Sequence, residues 1–442
     1  MSSSVDRFRE ILRIPTVSHA DEGQTDWAPF ALFMTTIERL YPATHETLER
    51  EVIDSHSLLY RWRGKEKAGA TVLMAHIDVV DVVPGEWEHP PFEAHVLGEG
   101  VDATIHARGA IDDKGSLVAI LEAVEELAAR GFVPARDVYL AFGHNEEVAG
   151  SGARRIVDAL RERGIRPDLV LDEGGAVVDG VVPGVTVPTA MVGVAERGVM
   201  TLLLTARENG GHASTPPAMP ATARLARAID RLRRRPFPTR MVAPVRAMLT
   251  TLAPHTPQPL RTLFGSLALT GPLVAAVFSR MGPEMNAIVR TTAVATELQG
   301  APGENVLATT ARASVNIRLL TGDTVRSATQ RVRRVIADPL VEVEVRHASD
   351  PSAVSPWRGA QWRRIAQAVT STLGEDVVTT PYLQLGASDS RWFTAISAHV
   401  YRFTPFHLTR AERDALHSHN ERIRVDVWLR GITFYRALIE KS

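Results

Sequence analysis

The chain has 442 residues, of which 45% are hydrophobic and 23% are charged, a composition that predicts a soluble globular protein of two or more domains. Its 50 Lys and Arg residues balance its 51 Asp and Glu residues, so the overall charge gives no support for binding to nucleic acids or anionic membranes. The chain contains no cysteine, which excludes disulfides and thiolate metal ligands.

The N-terminal sequence MSSSVDRFRE has no apolar core of the kind found in signal peptides and is typical of the start of a helix. We therefore expect a cytoplasmic protein. The run that most suggests a membrane span, residues 263–278, is interrupted by Gly271-Pro272 and is shorter than the roughly 20 residues that cross a bilayer. We expect a buried or interfacial helix pair there and no membrane span.

The first part of the chain alternates predicted strands with predicted helices. Strands are indicated at 71–80, 137–142 and 168–171, and helices at 114–130 and 152–163. The first strand is a continuous apolar run, as in a strand that is buried on both faces. The alternation predicts an α/β domain with a doubly wound, mainly parallel sheet.

The pattern changes after about residue 196. Strands at 200–206, 308–319 and 341–346, with helices at 221–235 and 325–336, favour a small inserted α+β domain of the ferredoxin-like type. A Pro-interrupted helical segment at about 240–303 divides it, and helices at 362–373 and 427–438 return to the first domain. We therefore predict a catalytic domain made of 1–196 and 351–442, with a lid domain at 197–350.

Acidic and histidine residues follow the predicted strands in four clusters. Because the carboxyl ends of parallel strands share one edge of a sheet, these clusters should converge. Imidazole and carboxylates without thiolates suit Zn²⁺ or another first-row divalent ion, whereas Mg²⁺ and Ca²⁺ prefer oxygen ligands alone. Any one such pair of residues more often caps a helix or lies in solvent, but four pairs at successive strand ends favour a metal site. The clusters are His76 with Asp78, Asp112 with Asp113, Glu146 with Glu147, and Asp172 with Glu173.

A further histidine ligand is expected from the C-terminal sequence HSHNE, residues 417–421. His417 and His419 would face the same way in an extended chain, so the spacing does not choose between them.

In chain order, these motifs resemble those of the dinuclear-zinc exopeptidases and aminoacylases, and within them carboxypeptidase S and the N-fatty-acyl-amino-acid hydrolases. The resemblance covers essentially the whole chain. It is carried by the segments 76–78 (HID), 87–92 (WEHPPF), 108–115 (RGAIDDKG), 145–147 (NEE), 171–175 (LDEGG), 211–214 (GHAS), 286–292 (NAIVRTT), 305–318 and 417–423.

The resemblance implies two Zn²⁺ ions per chain, for which Co²⁺ or Mn²⁺ can substitute. One ion would be held by His76, Asp112 and Asp172. The other would be held by Asp112, Glu147 and His417, with Asp112 bridging the two. The resemblance prefers His417 to His419 because the family ligand lies three residues before the Asn-Glu pair at 420–421.

The resemblance also implies the remaining catalytic roles. Asp78 would orient His76, and Glu146 would be the general base. His212, on the lid, would stabilise the oxyanion, although spacing alone would make it a histidine of an exposed loop. In dimeric relatives this histidine reaches the active site of the partner subunit. A homodimer that forms through the lid domain is therefore one of the alternatives.

The expected reaction is hydrolysis of the amide bond of a dipeptide or N-acyl amino acid next to a free carboxylate. Candidate carboxylate-binding residues are Arg318, Ser388 in the loop 386–389, and Asn286, although Arg318 could also be an ordinary surface arginine. A non-catalytic binding protein of the same fold should have lost a ligand or the base, and none is missing. A phosphoesterase would need a phosphate cradle, which the sequence does not contain.

Overall fold

A computed structural model of the protein describes residues 3–442; Met1 and Ser2, at which the predicted catalytic domain begins, lie outside the described residues. The first segment alternates strands and helices, as its hydrophobic pattern predicts. Its helices are α1 Ser4–Leu12, α2 Ala28–Leu40, α3 Pro42–Thr47, α4 Lys114–Ala129 and α5 Gly152–Glu162. Its strands are β1 Glu49–Ile53, β2 Ser57–Trp62, β3 Glu66–His76, β4 His95–Leu97, β5 Thr104–His106, β6 Arg136–Gly143, β7 Leu169–Val178 and β8 Thr189–Glu196.

The middle segment contains a second sheet and an additional group of helices. Its strands are β9 Gly198–Arg207, β10 Gly211–His212, β11 Thr292–Gln299, β12 Val306–Leu307, β13 Thr310–Leu319 and β14 Val341–Ser349. Its helices are α6 Ala221–Arg234, α7 Ala243–Leu252, α8 Leu260–Gly265, α9 Leu267–Phe278, α10 Pro283–Val289 and α11 Val325–Ile336. The last segment contains α12 Ala360–Thr372, β15 Val378–Gln384, β16 Val400–His407, α13 Arg410–Asp414, β17 Arg422–Arg424 and α14 Val425–Glu440.

The catalytic domain is built on an eight-stranded sheet in the order β1-β2-β6-β3-β7-β16-β8-β15. The central strands β6, β3, β7 and β16 are parallel to one another, and β1 and β2 add an antiparallel edge. Along β3, Leu73 and Ala75 enter the core that contains α4, whereas Val72 and Met74 enter the core that contains α5. Since alternate side chains point to opposite faces, both faces are buried, and this is the predicted doubly wound sheet.

The lid sheet is antiparallel, in the order β11-β13-β9-β14. Its inner side chains, among them Leu204 and Ile317, share a core with Leu225 of α6 and Val332 of α11. The chain order β9-α6-β11-β13-α11-β14, apart from the helices inserted after α6, is the predicted ferredoxin-like arrangement.

The inserted helices α7 to α10 belong by packing to the catalytic domain. Val245, Leu249, Phe264 and Phe278 lie in its main core and not in the lid core. Helix α7 packs against β15, the edge strand of the large sheet. The prediction that about 240–303 forms part of the lid is therefore corrected for α7 to α10, because apolar helix faces indicate burial without indicating which core receives them. Within residues 3–442, no helix is long and apolar enough to cross a membrane.

Candidate dimetal active site

The carboxyl ends of β3, β6 and β7 bring the predicted clusters together, and two groups of potential metal ligands result. In the first group, ligand atoms of His76, Asp112 and Glu173 lie within 4.8 Å of one another. His76 Nε2 is 3.0 Å from Asp112 Oδ1 and 3.8 Å from Glu173 Oε1. Imidazole nitrogen with two carboxylates is a donor set suited to Zn²⁺.

The second group consists of Asp112, Glu147 and His417, again with ligand atoms within 4.8 Å of one another. His417 Nε2 lies 2.9 Å from Asp112 Oδ2 and 3.0 Å from Glu147 Oε2. Asp112 thus offers one carboxylate oxygen to each group, which is the geometry of a bridging ligand. Glu147 Oε1 is buried without a hydrogen-bond partner among the described residues, as expected of an oxygen whose partner is a cation.

The electrostatics of the two groups favour positive charge. Hydrogen bonds to Asp112 and Glu147 raise the pKa of His417 to about 10. Burial alone would raise the pKa of Asp112, but hydrogen bonds from His417 and His76 outweigh it and hold this pKa below its ordinary value. Divalent ions would replace the protons on these histidines and neutralise the surrounding carboxylates.

The structure corrects the choice between Asp172 and Glu173. Asp172 belongs to neither ligand group; its Oδ2 accepts a hydrogen bond of 2.8 Å from the backbone N–H of Ser390. The two acidic residues are neighbours within β7, where successive side chains point to opposite faces. Glu173 therefore faces His76, and Asp172 anchors the loop after β15.

Asp78 is fully buried and connects the strand end of His76 to the loop that carries the two glutamates. Its carboxylate accepts hydrogen bonds from Ser18 Oγ at 2.6 Å and from the backbone N–H groups of Glu146 and Glu147 at 3.1 Å each. His76 Nδ1 lies 2.9 Å from the Asp78 carbonyl oxygen and 3.5 Å from its carboxylate. Asp78 thus fixes both the imidazole and the glutamate pair.

Glu146 has the environment of a proton acceptor. Its carboxylate has no hydrogen-bond partner among residues 3–442, whereas the neighbouring Glu147 faces His417. Burial raises the pKa of Glu146 well above its usual value; His76 opposes this shift, and the negative charge of Asp389 adds to it. A raised carboxyl pKa is what a general base needs in order to hold a proton during the reaction.

One positioning residue, Glu421, is not among the residues that the sequence singled out. Its buried carboxylate accepts hydrogen bonds from the backbone N–H groups of Gly109, Ile111 and Asp112 at 3.0, 2.7 and 3.1 Å. Arg108 Nη1 donates to the same carboxylate at 2.7 Å. Glu421 therefore holds the loop of the bridging ligand, and its only sequence signal is the motif it shares with His417.

The remaining predicted residues lie apart from the two ligand groups. His212 is exposed on the lid, where its Nδ1 accepts a hydrogen bond of 2.8 Å from Ser214 Oγ. The Arg318 guanidinium, on β13, is half-buried and has no hydrogen-bond or ion-pair partner among the described residues. Burial, and then the charge of Arg391, lower its pKa.

Two other predicted substrate contacts, Ser388 and Asn286, lie apart from the metal ligands. Ser388 is buried, and its backbone N–H and hydroxyl both face Glu196 Oε2, at 3.1 and 3.3 Å. Asn286 lines a groove between the helices and β11 of the lid, together with Phe237 and Arg290. Ser388 thus supports the loop 386–389 by a contact within the protein, and Asn286 lies outside the two ligand groups, as His212 does. A contact of Ser388 or Asn286 with the substrate stays a prediction.

A chamber of about 280 Å³, lined by apolar side chains together with polar and charged ones, adjoins the metal ligands. Gly174, which follows Glu173, and Leu416, which precedes His417, both line this chamber. Its other apolar walls come from Val178, Val181, Met191, Leu385 and Leu408, and its charged lining residues are Glu284, Arg413 and Asp414. The chamber therefore begins one residue away from a ligand of each group.

The sequence model of peptidase family M20/M25/M40 matches residues 72–441 of the chain. The N-fatty-acyl-amino acid synthase/hydrolase PM20D1 of Xenopus tropicalis is 35% identical in an alignment of 443 positions that covers 99% of this chain and 85% of that protein. The probable carboxypeptidase S-like 2 of Dictyostelium discoideum is 31% identical in an alignment of 444 positions that covers 99% of this chain and 84% of that protein. The M20 family metallo-carboxypeptidase Sso-CP2 from Sulfolobus solfataricus shares the fold, with a TM-score of 0.71 at 16% identity over 100% of this chain and 99% of that one.

Proposed function

The chain belongs to peptidase family M20/M25/M40 and is a hydrolytic enzyme, and on this premise we propose that it is a dizinc amidohydrolase of N-acyl amino acids. The amide bond that it cleaves lies next to a free carboxylate. A non-catalytic binding protein of this fold finds no support, because every predicted ligand type and the base are present.

The proposal depends on one observation: Asp112 is shared between the two ligand groups, with the unpaired carboxylate of Glu146 close by. Divalent ions held by these two groups would supply an activated water and would polarise the scissile carbonyl. Glu146 would accept a proton from the attacking water and deliver it to the departing amine. Asp78 holds the loop of Glu146 and Glu147 in place during the reaction, and Glu421 holds the loop of Asp112.

Arg318 is our candidate for recognition of the substrate carboxylate. Its guanidinium has no hydrogen-bond or ion-pair partner in the described part of the chain, and its neighbours Arg391 and Arg197 add positive charge. Arg197 already has a partner within the protein, because its Nη2 donates to Thr292 Oγ1 at 2.9 Å. An unpaired, half-buried guanidinium among other cations is suited to a carboxylate, which it can bind through two parallel hydrogen bonds.

The apolar chamber supports N-acyl amino acids over dipeptides as substrates. The acyl part of the substrate lies on the carbonyl side of the cleaved bond, and an apolar chamber beside Glu173 and His417 would stabilise a hydrocarbon chain there. A dipeptide would instead bring its charged ammonium group into this chamber, at a cost in desolvation that only a contact with Glu284 or Asp414 would offset.

We propose that His212 stabilises the oxyanion after it is brought to the scissile carbonyl by movement of the lid or by a second copy of the chain. The support is its exposure on the lid, where an imidazole is free to reach a separate site. In the second case the chain would form a homodimer through the lid domain.

The test compares N-lauroyl-, N-acetyl- and glycyl-phenylalanine as substrates of the zinc-loaded enzyme. We expect the highest kcat/KM for the lauroyl compound, loss of activity on chelation, and recovery with Zn²⁺, Co²⁺ or Mn²⁺. Val181→Phe, which narrows the chamber, should shift the preference towards the acetyl compound, whereas Val133→Phe at an exposed position should not. No hydrolysis of any of the three would refute the proposed function, and a preference for glycyl-phenylalanine would refute the role of the chamber.

A further inference from the structure

Helix α9 presents an exposed face that is entirely apolar. Leu269, Leu273 and Val277 follow one another at intervals of one turn and are 87%, 60% and 46% exposed, and Met281 continues the line at 49%. The opposite face of the helix is buried in the main core, through residues such as Phe278. Four large apolar side chains in a row on the surface are unusual for a soluble protein and indicate a binding surface.

The surroundings of this face carry positive charge without any negative charge in the same segment. Residues 231–283 contain no Asp or Glu. Arg246 lies along α9, where its Nη1 donates to the Leu267 carbonyl at 2.7 Å, and Arg261 and Arg280 flank the helix. None of these three arginines forms an ion pair with a carboxylate within the described part of the chain. This segment is therefore cationic and apolar, although the charges of the whole chain balance.

We propose that α9 docks in the plane of an anionic phospholipid bilayer, with Leu269, Leu273 and Val277 entering the interface between headgroups and acyl chains. Apolar side chains in a helical line with flanking arginines match the two attractions of such a surface, hydrophobic burial and contact with anionic lipid headgroups. A second copy of the chain fits less well, because a symmetric contact would bring the same unpaired arginines together. Docking leaves the helix on the surface, in agreement with the finding that no described helix is long and apolar enough to span.

The docking face lies close in sequence to the wall of the chamber. Helix α10 begins two residues after Met281, and its Glu284 lines the chamber beside the metal ligands. If the proposed function holds, on which this part rests, docking places the chamber near the surface in which fatty-acyl substrates dissolve. The enzyme would then take its substrate from the bilayer rather than from water.

Cosedimentation with vesicles tests the docking in the absence of substrate. We expect the native enzyme to bind vesicles of equimolar phosphatidylcholine and phosphatidylglycerol more strongly than vesicles of phosphatidylcholine alone. The double variant Leu269→Asp/Leu273→Asp should lower the partition coefficient by on the order of 10²-fold, since each leucine then no longer enters the interface. Leu32→Asp, on α2 and 55% exposed, is the matched control and should bind as the native enzyme does.

Arg261→Gln/Arg280→Gln should weaken binding to the phosphatidylglycerol vesicles by roughly fivefold per arginine and leave binding to phosphatidylcholine unchanged. Hydrolysis of a water-soluble N-acetyl amino acid reports the proposed function separately and should be equal in all these variants. The proposal is overturned if the native enzyme binds neither vesicle, or if Leu32→Asp loses as much binding as the double variant. It is also overturned if light scattering finds a native dimer that Leu269→Asp/Leu273→Asp converts to a monomer, because the face would then join two copies of the chain.

Discussion

Replacement of Arg318 by alanine should remove recognition of the substrate carboxylate. A hydrogen bond to a charged group contributes about 1.5–3 kcal/mol, so the two bonds of a bidentate pair would contribute about 3–6 kcal/mol in a dry site. Arg318 is only half-buried, and solvent screening places the expected loss at the lower end. A loss of about 3 kcal/mol corresponds to a decrease of about 10²-fold in kcat/KM.

The assay is a double cycle in which the Arg318→Ala enzyme and the native enzyme each act on an N-acyl amino acid and on its amide. Amidation should cost the native enzyme about 10²-fold and the variant little more, because both changes remove the same interaction. Arg318→Lys should stay well below the native enzyme, because an ammonium group lacks the guanidinium fork. Arg312→Ala, on the same face of β13, is the control and should behave as the native enzyme does. Penalties that simply multiply would refute the role of Arg318 and favour the loop 386–389.

Further predictions concern the metal site. Glu146→Gln should lower kcat by about 10²–10⁴-fold with the metal content unchanged, whereas Glu147→Gln should lower the metal content; the opposite result would exchange their roles. Elemental analysis should find less metal in His417→Ala than in His419→Ala, because His419 Nε2 lies 2.7 Å from Glu86 instead of the site, and the reverse order would contradict this choice. The same measurement should find less metal in Glu173→Gln than in Asp172→Asn, and equal losses would contradict the assignment of Glu173, instead of Asp172, as the ligand. Zinc must displace a proton from His417, whose pKa is about 10 in the metal-free protein. The affinity for zinc, measured by competition with a chelator, should therefore rise by about tenfold per pH unit below that pKa. An affinity that does not change with pH would contradict this prediction.

Much of the fold follows from hydrophobic periodicity alone. The alternation of strands and helices predicted the parallel sheet and the position of His76, Asp112 and Glu147 at its carboxyl edge. The order of elements around residues 200–346 predicted the lid. These features are local in sequence, because each strand end carries its own polar residues.

Other features depend on contacts that the pattern does not contain. The assignment of Asp172 as a ligand failed because β7 continues through the acidic pair, so that the pleat of the strand decides which carboxylate faces the metals. The helices of the insertion were assigned to the lid, whereas they pack into the core of the catalytic domain, because an apolar helix face does not indicate which core it packs against. The surroundings of Ser388 and Asn286 were not predictable for a similar reason: a motif places a residue in a loop or helix, but hydrogen bonds such as those of Ser388 with Glu196 set the direction of its side chain.

The contact between Glu421 and the loop of Asp112 also bears on the order of folding. Glu421 and Asp112 are 309 positions apart along the chain. A contact between positions so distant forms slowly, because the long loop between them must first be closed. We therefore expect the loop of Asp112 to take its final geometry after the strands of the large sheet have paired, so that tight metal binding follows the folding of the catalytic domain.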